Sequence, residues 1–206
     1  MAKTRRRGAE LEAAIYAATR EILNREGLSQ LTFAKVAAAA GTSKPVIYRH
    51  WDTPFSLALL AIQDKIKTDN HGQLDQLDLT GTSLREDLLQ VAKRFTASMD
   101  AFGQTFMTSW FEGVDHDQSE QLQKMLASVK KIDLHAIDRV LERAVKRGEV
   151  TGTALPEELK LLPFDWLRYR MLASQPVGTA QVKLLVDSIL MPAYLQVLGP
   201  APKKLD

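Results

Sequence analysis

TFAKVAAAAGTSKPVIYRHW, residues 32–51, reads as a helix, a tight glycine turn and a second short helix. Val36, Ala37 and Ala40 share one face of the first helix at 3.6-residue spacing. Ala37 is small at the point where two helices must cross closely. Gly41 follows where the turn needs a residue tolerant of positive φ. Thr42 and Ser43 offer hydroxyls to cap the next helix. Pro45 falls in its first turn, where a missing N–H costs nothing because that donor has no intrahelical partner. Ile47 points back into the pair. Lys44, Val46, Tyr48, Arg49 and His50 are left outward or at the rim, a mix that can meet both phosphates and base edges. A helix pair of this size is the usual device for laying one helix in the major groove of DNA. The bland reading of the same residues is an ordinary antiparallel helix pair.

Charge favours the DNA reading. The chain has 206 residues and a net charge of +2. Residues 1–50 hold nine Lys/Arg against four Glu, a surplus of five, which leaves −3 for the remainder. A basic N-terminal part joined to a mildly acidic remainder is the footprint of a nucleic-acid reader with a separate second domain. Arg5, Arg6 and Arg7 form a basic arm; the bland alternative is a solvated tail, and such a tail can order on DNA.

Composition narrows the remaining classes. A hydrophobic content of 45% fits a globular chain and not a disordered one. Cysteine is absent, which removes disulfides and thiol chemistry. The N-terminus lacks an apolar signal core, and no run of about 18 uncharged apolar residues occurs, so no membrane partner is expected. The expected location is cytoplasmic.

No segment alternates with strand period, and the expected fold is all-α with about nine helices. Residues 9–26 make the first, with Leu11, Ala14, Ile15, Ala18, Ile22 and Leu23 as its stripe and Gly27 as its stop. The pair occupies 32–39 and 43–50. A fourth helix opens at Thr53 and Pro54 and carries Phe55, Leu59, Ile62 and Ile66 inward. Residues 69–82 read as a loop. Ser83 caps the next helix with Glu86 as its capping-box partner. An aromatic-rich helix follows at 102–112, then a long amphipathic one from about 118 to 147 with Leu122, Met125, Leu126, Val129, Leu134, Ile137, Val140, Leu141 and Val145 inward, stopped by Gly148. Two more lie near 156–174 and 179–198. The expected division is a small N-terminal helix-turn-helix domain, 1–52, and a larger helical bundle, 53–206, for effector binding and dimerisation.

The first ~60 residues resemble the DNA-binding domain of TetR-family transcriptional regulators. The resemblance rests on the basic arm, Glu26-Gly27, Leu31-Thr32-Phe33, Ala39-Ala40-Gly41-Thr42-Ser43 and Lys44-Pro45-Val46-Ile47-Tyr48-Arg49-His50-Trp51. Trp51 stands where the family usually has phenylalanine, Thr42 where valine is common, and Pro54 where a lysine often opens the fourth helix. That lysine would touch phosphate, so Thr53 or the helix N-terminus is left to take its place. Arg147 to Val150, Leu161 to Arg170 and Val182 to Leu190 are more loosely similar to one class of TetR C-terminal domains, whose last two helices pack against their symmetry mates.

The resemblance implies a homodimer on a palindromic double-stranded operator, released by a small apolar effector. The implied DNA-binding set is Arg5, Arg6, Arg7, Thr32, Thr42, Ser43, Lys44, Pro45, Val46, Tyr48, Arg49, His50 and Thr53. Tyr48 and His50 are expected on phosphates; Lys44, Val46 and Arg49 are expected nearer base edges. The expected effector pocket is Met99, Phe102, Phe106, Met107, Trp110, Phe111, Trp166 and Tyr169, whose bland reading is core packing. The expected dimer face is Arg170, Val182, Leu185, Val186, Ile189 and Leu190. Asp115, His116 and Asp117 are adjacent and cannot readily converge on one ion, so no metal site is expected. No phosphate loop or catalytic triad motif is present, and neither enzyme activity nor a cofactor is expected. A TetR-type activator, a regulator controlled by a protein partner, and a helical enzyme or adaptor are the alternatives.

Overall fold

The computed structural model describes residues 8–69, 72–100 and 116–199. They form eight helices: α1 Ala9–Glu26, α2 Phe33–Ala40, α3 Lys44–Tyr48, α4 Pro54–Asp69, α5 Leu84–Asp100, α6 His116–Arg147, α7 Glu157–Leu172 and α8 Thr179–Leu198. No strand appears among the described residues. The helix expected at 102–112 lies outside them. The chain divides into two compact units, Met1–Asp69 with Ala101–Leu122, and Asn70–Asp100 with Gln123–Asp206. A division at 52/53 would cut α4 away from α1. In the structure α4 packs on α1 and belongs to the N-terminal unit.

In the N-terminal unit α1 buries Ile15, Ala18, Ile22 and Leu23, as its spacing predicts, and also Tyr16 and Thr19. Leu11 and Ala14 are only half-buried. The Thr19 hydroxyl donates to the Ile15 carbonyl at 2.8 Å, which satisfies it inside the helix. Against this face lie Leu57, Ala58, Ala61 and Ile62 of α4 and Val36 and Ala37 of α2, all buried. α4 starts with a reciprocal box: Ser56 N donates to Thr53 Oγ1 at 3.0 Å, and Thr53 N donates to Ser56 Oγ at 3.2 Å.

The C-terminal unit is built on repeating apolar faces. α5 contributes Leu84, Leu88, Val91, Ala92, Phe95 and Met99; α6 contributes Ala136, Ile137, Val140, Leu141 and Ala144. α6 departs from its expected face. Leu126 and Val145 are exposed, while Asp133 is buried. Ser83 Oγ caps α5 by accepting from Glu86 N at 3.2 Å, but the Glu86 carboxylate accepts from Thr82 N at 2.7 Å and does not return to Ser83. Leu84 N donates instead to Glu149 at 2.7 Å.

A buried charge cluster joins the start of α5 to the end of α6. Asp87 is fully buried and accepts from Arg143 Nε at 2.8 Å and Arg147 Nη1 at 3.0 Å. Arg143 also donates to the Gly81 carbonyl at 2.7 Å. A Cβ at position 81 would stand 2.5 Å from Asp87 Oδ1, so only glycine lets the loop close over the carboxylate.

Two prolines shape the last helices. Pro163 has no N–H to give the Leu159 carbonyl one turn back. The buried Tyr194 hydroxyl of α8 donates to that carbonyl at 3.1 Å. In α8, Leu185–Leu190 widens into a π turn just before Pro192, which likewise deprives the Ser188 carbonyl of its helical donor. α8 is long and apolar enough by length and composition to cross a membrane, but it carries Lys183 and Asp187, and 33% of its apolar window is buried within the protein.

Candidate nucleic-acid interface

α2 and α3 meet across a turn whose geometry follows from the sequence. Thr32 caps α2, accepting from Lys35 N at 3.3 Å. Gly41 ends it in the left-handed region at φ 66°, ψ 37°, and Thr42 N donates back to the Ala37 carbonyl at 2.9 Å. Ser43 is the residue before α3. Its carbonyl accepts from Val46 N at 3.1 Å, but its hydroxyl makes no cap bond, contrary to expectation. Pro45 lies in the first turn, as its missing N–H allows. Ile47 is fully buried and anchors α3 to the pair.

This anchoring leaves one side of α3 outward. Lys44, Pro45, Tyr48, Arg49 and His50 are exposed. Tyr48 is 62% exposed, yet its ring stands edge-on to buried Phe33 at 4.7 Å between centroids. A ring braced at its base loses little freedom when its tip meets a ligand. Trp51 is buried, edge-on to Tyr16 at 5.8 Å, and fastens the end of α3 to α1. Burial, then a hydrogen bond to Glu12 at 2.9 Å, pushes the Tyr16 hydroxyl up to about 12. Val46 is half-buried. With His50 it borders a cleft of about 290 Å³ whose other walls include Leu11, Ile15, Tyr16, Trp51 and Leu60.

The cations of this unit sort into two groups. Arg20 is tied to Asp64, Arg25 to Glu21 and Glu26, and Lys35 to Glu26 at 2.7 Å. Hydrogen bonds from Lys35 and Arg25 hold the Glu26 carboxyl below its ordinary value. Among the described residues, no carboxylate is paired with Lys44 or Arg49. Unpaired positive charge therefore sits on α3 and its end, as well as on Lys67 at the end of α4. Arg5, Arg6 and Arg7 lie outside the described residues. Thr42 is half-buried, and the Thr53 hydroxyl is engaged at the α4 cap. The Phe33 brace, the Tyr16–Trp51 contact and the Arg20–Asp64 tie escaped the sequence reading. Tyr16 lies within the buried stripe of α1 and Arg20 one turn beyond it, a spacing that could have shown both.

The C-terminal candidates fall differently. Met99 is buried in the core, and Phe102, Phe106, Met107, Trp110 and Phe111 lie outside the described residues. Tyr169 is 66% exposed and turned to solvent, so it does not line an interior pocket. Trp166 is half-buried beneath the Arg170 guanidinium, 4.9 Å from its ring centroid. Of the expected dimer face, Val182, Leu185, Val186 and Leu190 are buried within their own unit, because the inward stripe of α8 is also its most apolar one. Ile189 is half-buried, and Arg170 donates to the Pro176 carbonyl at 3.2 Å. On the last two helices, large apolar side chains left outward are Tyr169 and Leu172 on α7 and Leu184 and Val197 on α8. Inside the unit, Asp133 pairs with Arg168, whose guanidinium lies 5.1 Å from the Phe95 ring centroid. Burial outweighs Arg168 and raises the Asp133 carboxyl to about 6. Among the described residues, no cluster of three or more His, Asp or Glu could hold a metal.

A helix-turn-helix with an outward, cationic second helix, attached to a helical C-terminal unit, defines a DNA-binding transcriptional regulator. The family model described as bacterial regulatory proteins, tetR family, matches residues 15–53, and that of the tetracyclin repressor-like C-terminal domain matches 79–189. The chain belongs to the TetR family of transcriptional regulators. It is 28% identical over 190 residues to an HTH-type transcriptional regulator of Mycobacterium tuberculosis, covering 91% of this chain and 90% of the relative. It is also 28% identical over 187 residues to the DNA-binding transcriptional repressor TetR of Mycobacteroides abscessus, covering 90% and 94%. Among solved structures, the TetR family transcription regulator SCO0332 matches at TM-score 0.60 and 26% identity, covering 88% of this chain and 97% of that one. SmeT in complex with triclosan shares the fold at TM-score 0.61 and 18% identity, covering 96% and 99%.

Proposed function

We propose that the protein is a homodimeric repressor that binds a palindromic operator through α3 and leaves it when a small apolar effector binds the C-terminal unit. The observation that carries the DNA part is the set of outward, unpaired Lys44 and Arg49 beside the braced Tyr48. Tyr48 and His50 meet phosphates, and Lys44 and Arg49 reach base edges. The half-buried Val46 has less reach. Arg5 to Arg7 add phosphate contacts and salt dependence. A protein that acts on the chromosome works in the cytoplasm of a bacterial cell.

Dimerisation is supported by surface left uncovered. Leu184 is 53% and Val197 46% exposed on α8, and Tyr169 and Leu172 are exposed on α7. A second copy would cover it, and two-fold pairing doubles a short readout. The effector part is supported by the buried Phe95–Phe164 ring contact, by the buried Met99 and by the triclosan complex of a structural neighbour. The effector must bind the arrangement unable to hold DNA more tightly than the competent one. Footprinting of the chain's own upstream region, with sedimentation at micromolar concentration, tests the first two parts. A reporter assay with and without the gene separates repression from activation, and operator release screened against neutral aromatic compounds tests the third.

A further inference from the structure

Arg20 is one of the nine basic residues of the N-terminal part, but its side chain is only 24% exposed and is occupied within the unit. Its Nη1 donates to the Ala61 carbonyl at 2.8 Å and to the Asp64 carboxylate at 3.1 Å, both on α4. One turn earlier on α1, Tyr16 holds Trp51, the residue that closes α3 onto the unit. α1 therefore grips the end of the recognition helix and the middle of α4 with neighbouring turns of one face. The two grips differ in kind. Apolar packing between α1 and α4 is non-directional and tolerates a small slide. A guanidinium forked between a carbonyl and a carboxylate does not, because a shift of about 1 Å takes both acceptors out of hydrogen-bond range. α4 runs to Asp69, where the N-terminal unit ends and the chain passes into the C-terminal unit at Asn70.

We propose that Arg20 is a positioning residue that fixes the recognition helix to α4 and so sets how strictly the protein reads the spacing between operator half-sites. The inference rests on the reading of a homodimer on a palindrome. One base pair added between half-sites moves them by about 3.4 Å and turns them by about 34°. With the clamp closed, α3 cannot follow that change. With it open, α3 can pivot on the Tyr16–Trp51 contact.

The test uses the full-length protein and four duplexes: the footprinted operator, versions with one base pair added or removed at its centre, and a single half-site. Arg20→Met keeps the length and apolar stem and removes both hydrogen bonds. The wild type should prefer the native spacing by at least about tenfold. Arg20→Met should narrow this to about threefold or less by gaining on the altered duplexes, with half-site affinity unchanged. Arg20→Lys, which keeps one charged donor, should fall between them. Asp64→Asn, which leaves the Ala61 contact, should loosen spacing less than Arg20→Met. Equal loss on all four duplexes would make Arg20 a DNA contact or a folding residue and overturn the proposal, as would unchanged discrimination. If Arg20→Met does not fold, as judged by its melt, the Lys and Asn variants decide between the same outcomes. A wild type indifferent to spacing would reject the palindrome reading itself, and the clamp's role with it.

Discussion

The two units handle charge in opposite ways. Among the described residues of the N-terminal unit no charged side chain is buried, and cations without a carboxylate, Lys44 and Arg49 among them, stand outward. The C-terminal unit takes Asp87 and Asp133 inside and pays for each with arginine. The first arrangement suits a surface that must present fixed charge to a polyanion. The second suits a body whose packing can be biased, because a buried pair is sensitive to anything that moves one partner.

The largest effect should follow Asp87→Ala. It leaves Arg143 and Arg147 facing each other without the carboxylate and should cost roughly 3–5 kcal/mol. A calorimetric melt should show it. A change below about 1 kcal/mol would mean the cluster is surface-like.

Asp133 gives a pH-dependent effect. Its folded value of about 6 lies above its ordinary 3.8, so its stabilising contribution is complete below about pH 4 and is lost as pH rises through 6. Between pH 4 and 7 the wild type should lose on the order of 3 kcal/mol relative to Asp133→Asn, which cannot ionise. Denaturant melts of both proteins at four pH values measure this. Parallel curves would mean that Arg168 fully compensates burial.

Tyr194→Phe should be the smallest of the three. It removes the hydroxyl that satisfies the Leu159 carbonyl freed by Pro163, at about 1–3 kcal/mol. Restoring an N–H with Pro163→Ala in the same chain should recover part of the loss. No recovery would show that the two residues act independently.

Legibility in the sequence follows the same division. The N-terminal unit announces itself because its turn needs Gly41, its second helix tolerates Pro45 in the first turn, and Ile47 and Trp51 have no other place to go. Helix positions in the C-terminal unit were equally readable from period and from Gly148. What α8 packs against was not. Val182, Leu185, Val186 and Leu190 form an apolar stripe that would suit a core or a partner equally, and the protein uses it as core. Tyr169 is expected at the pocket because its helix could face the Met/aromatic segment, but periodicity places it opposite Phe164 and Leu167. Asp87 and Asp133 were invisible because their partners lie more than 30 residues away. Ion pairs between distant helices leave no local signal.

On the proposed function, α3 reads DNA with Lys44 and Arg49, which no described carboxylate neutralises. The most direct test is operator affinity for Tyr48→Ala, Arg49→Ala beside the wild type, at one stated salt concentration. Both positions are exposed, so the melting temperature should hardly change. Affinity should fall about 100-fold or more, as loss of a phosphate contact and a base contact together requires. A folded double variant with the wild-type footprint and affinity would contradict the account.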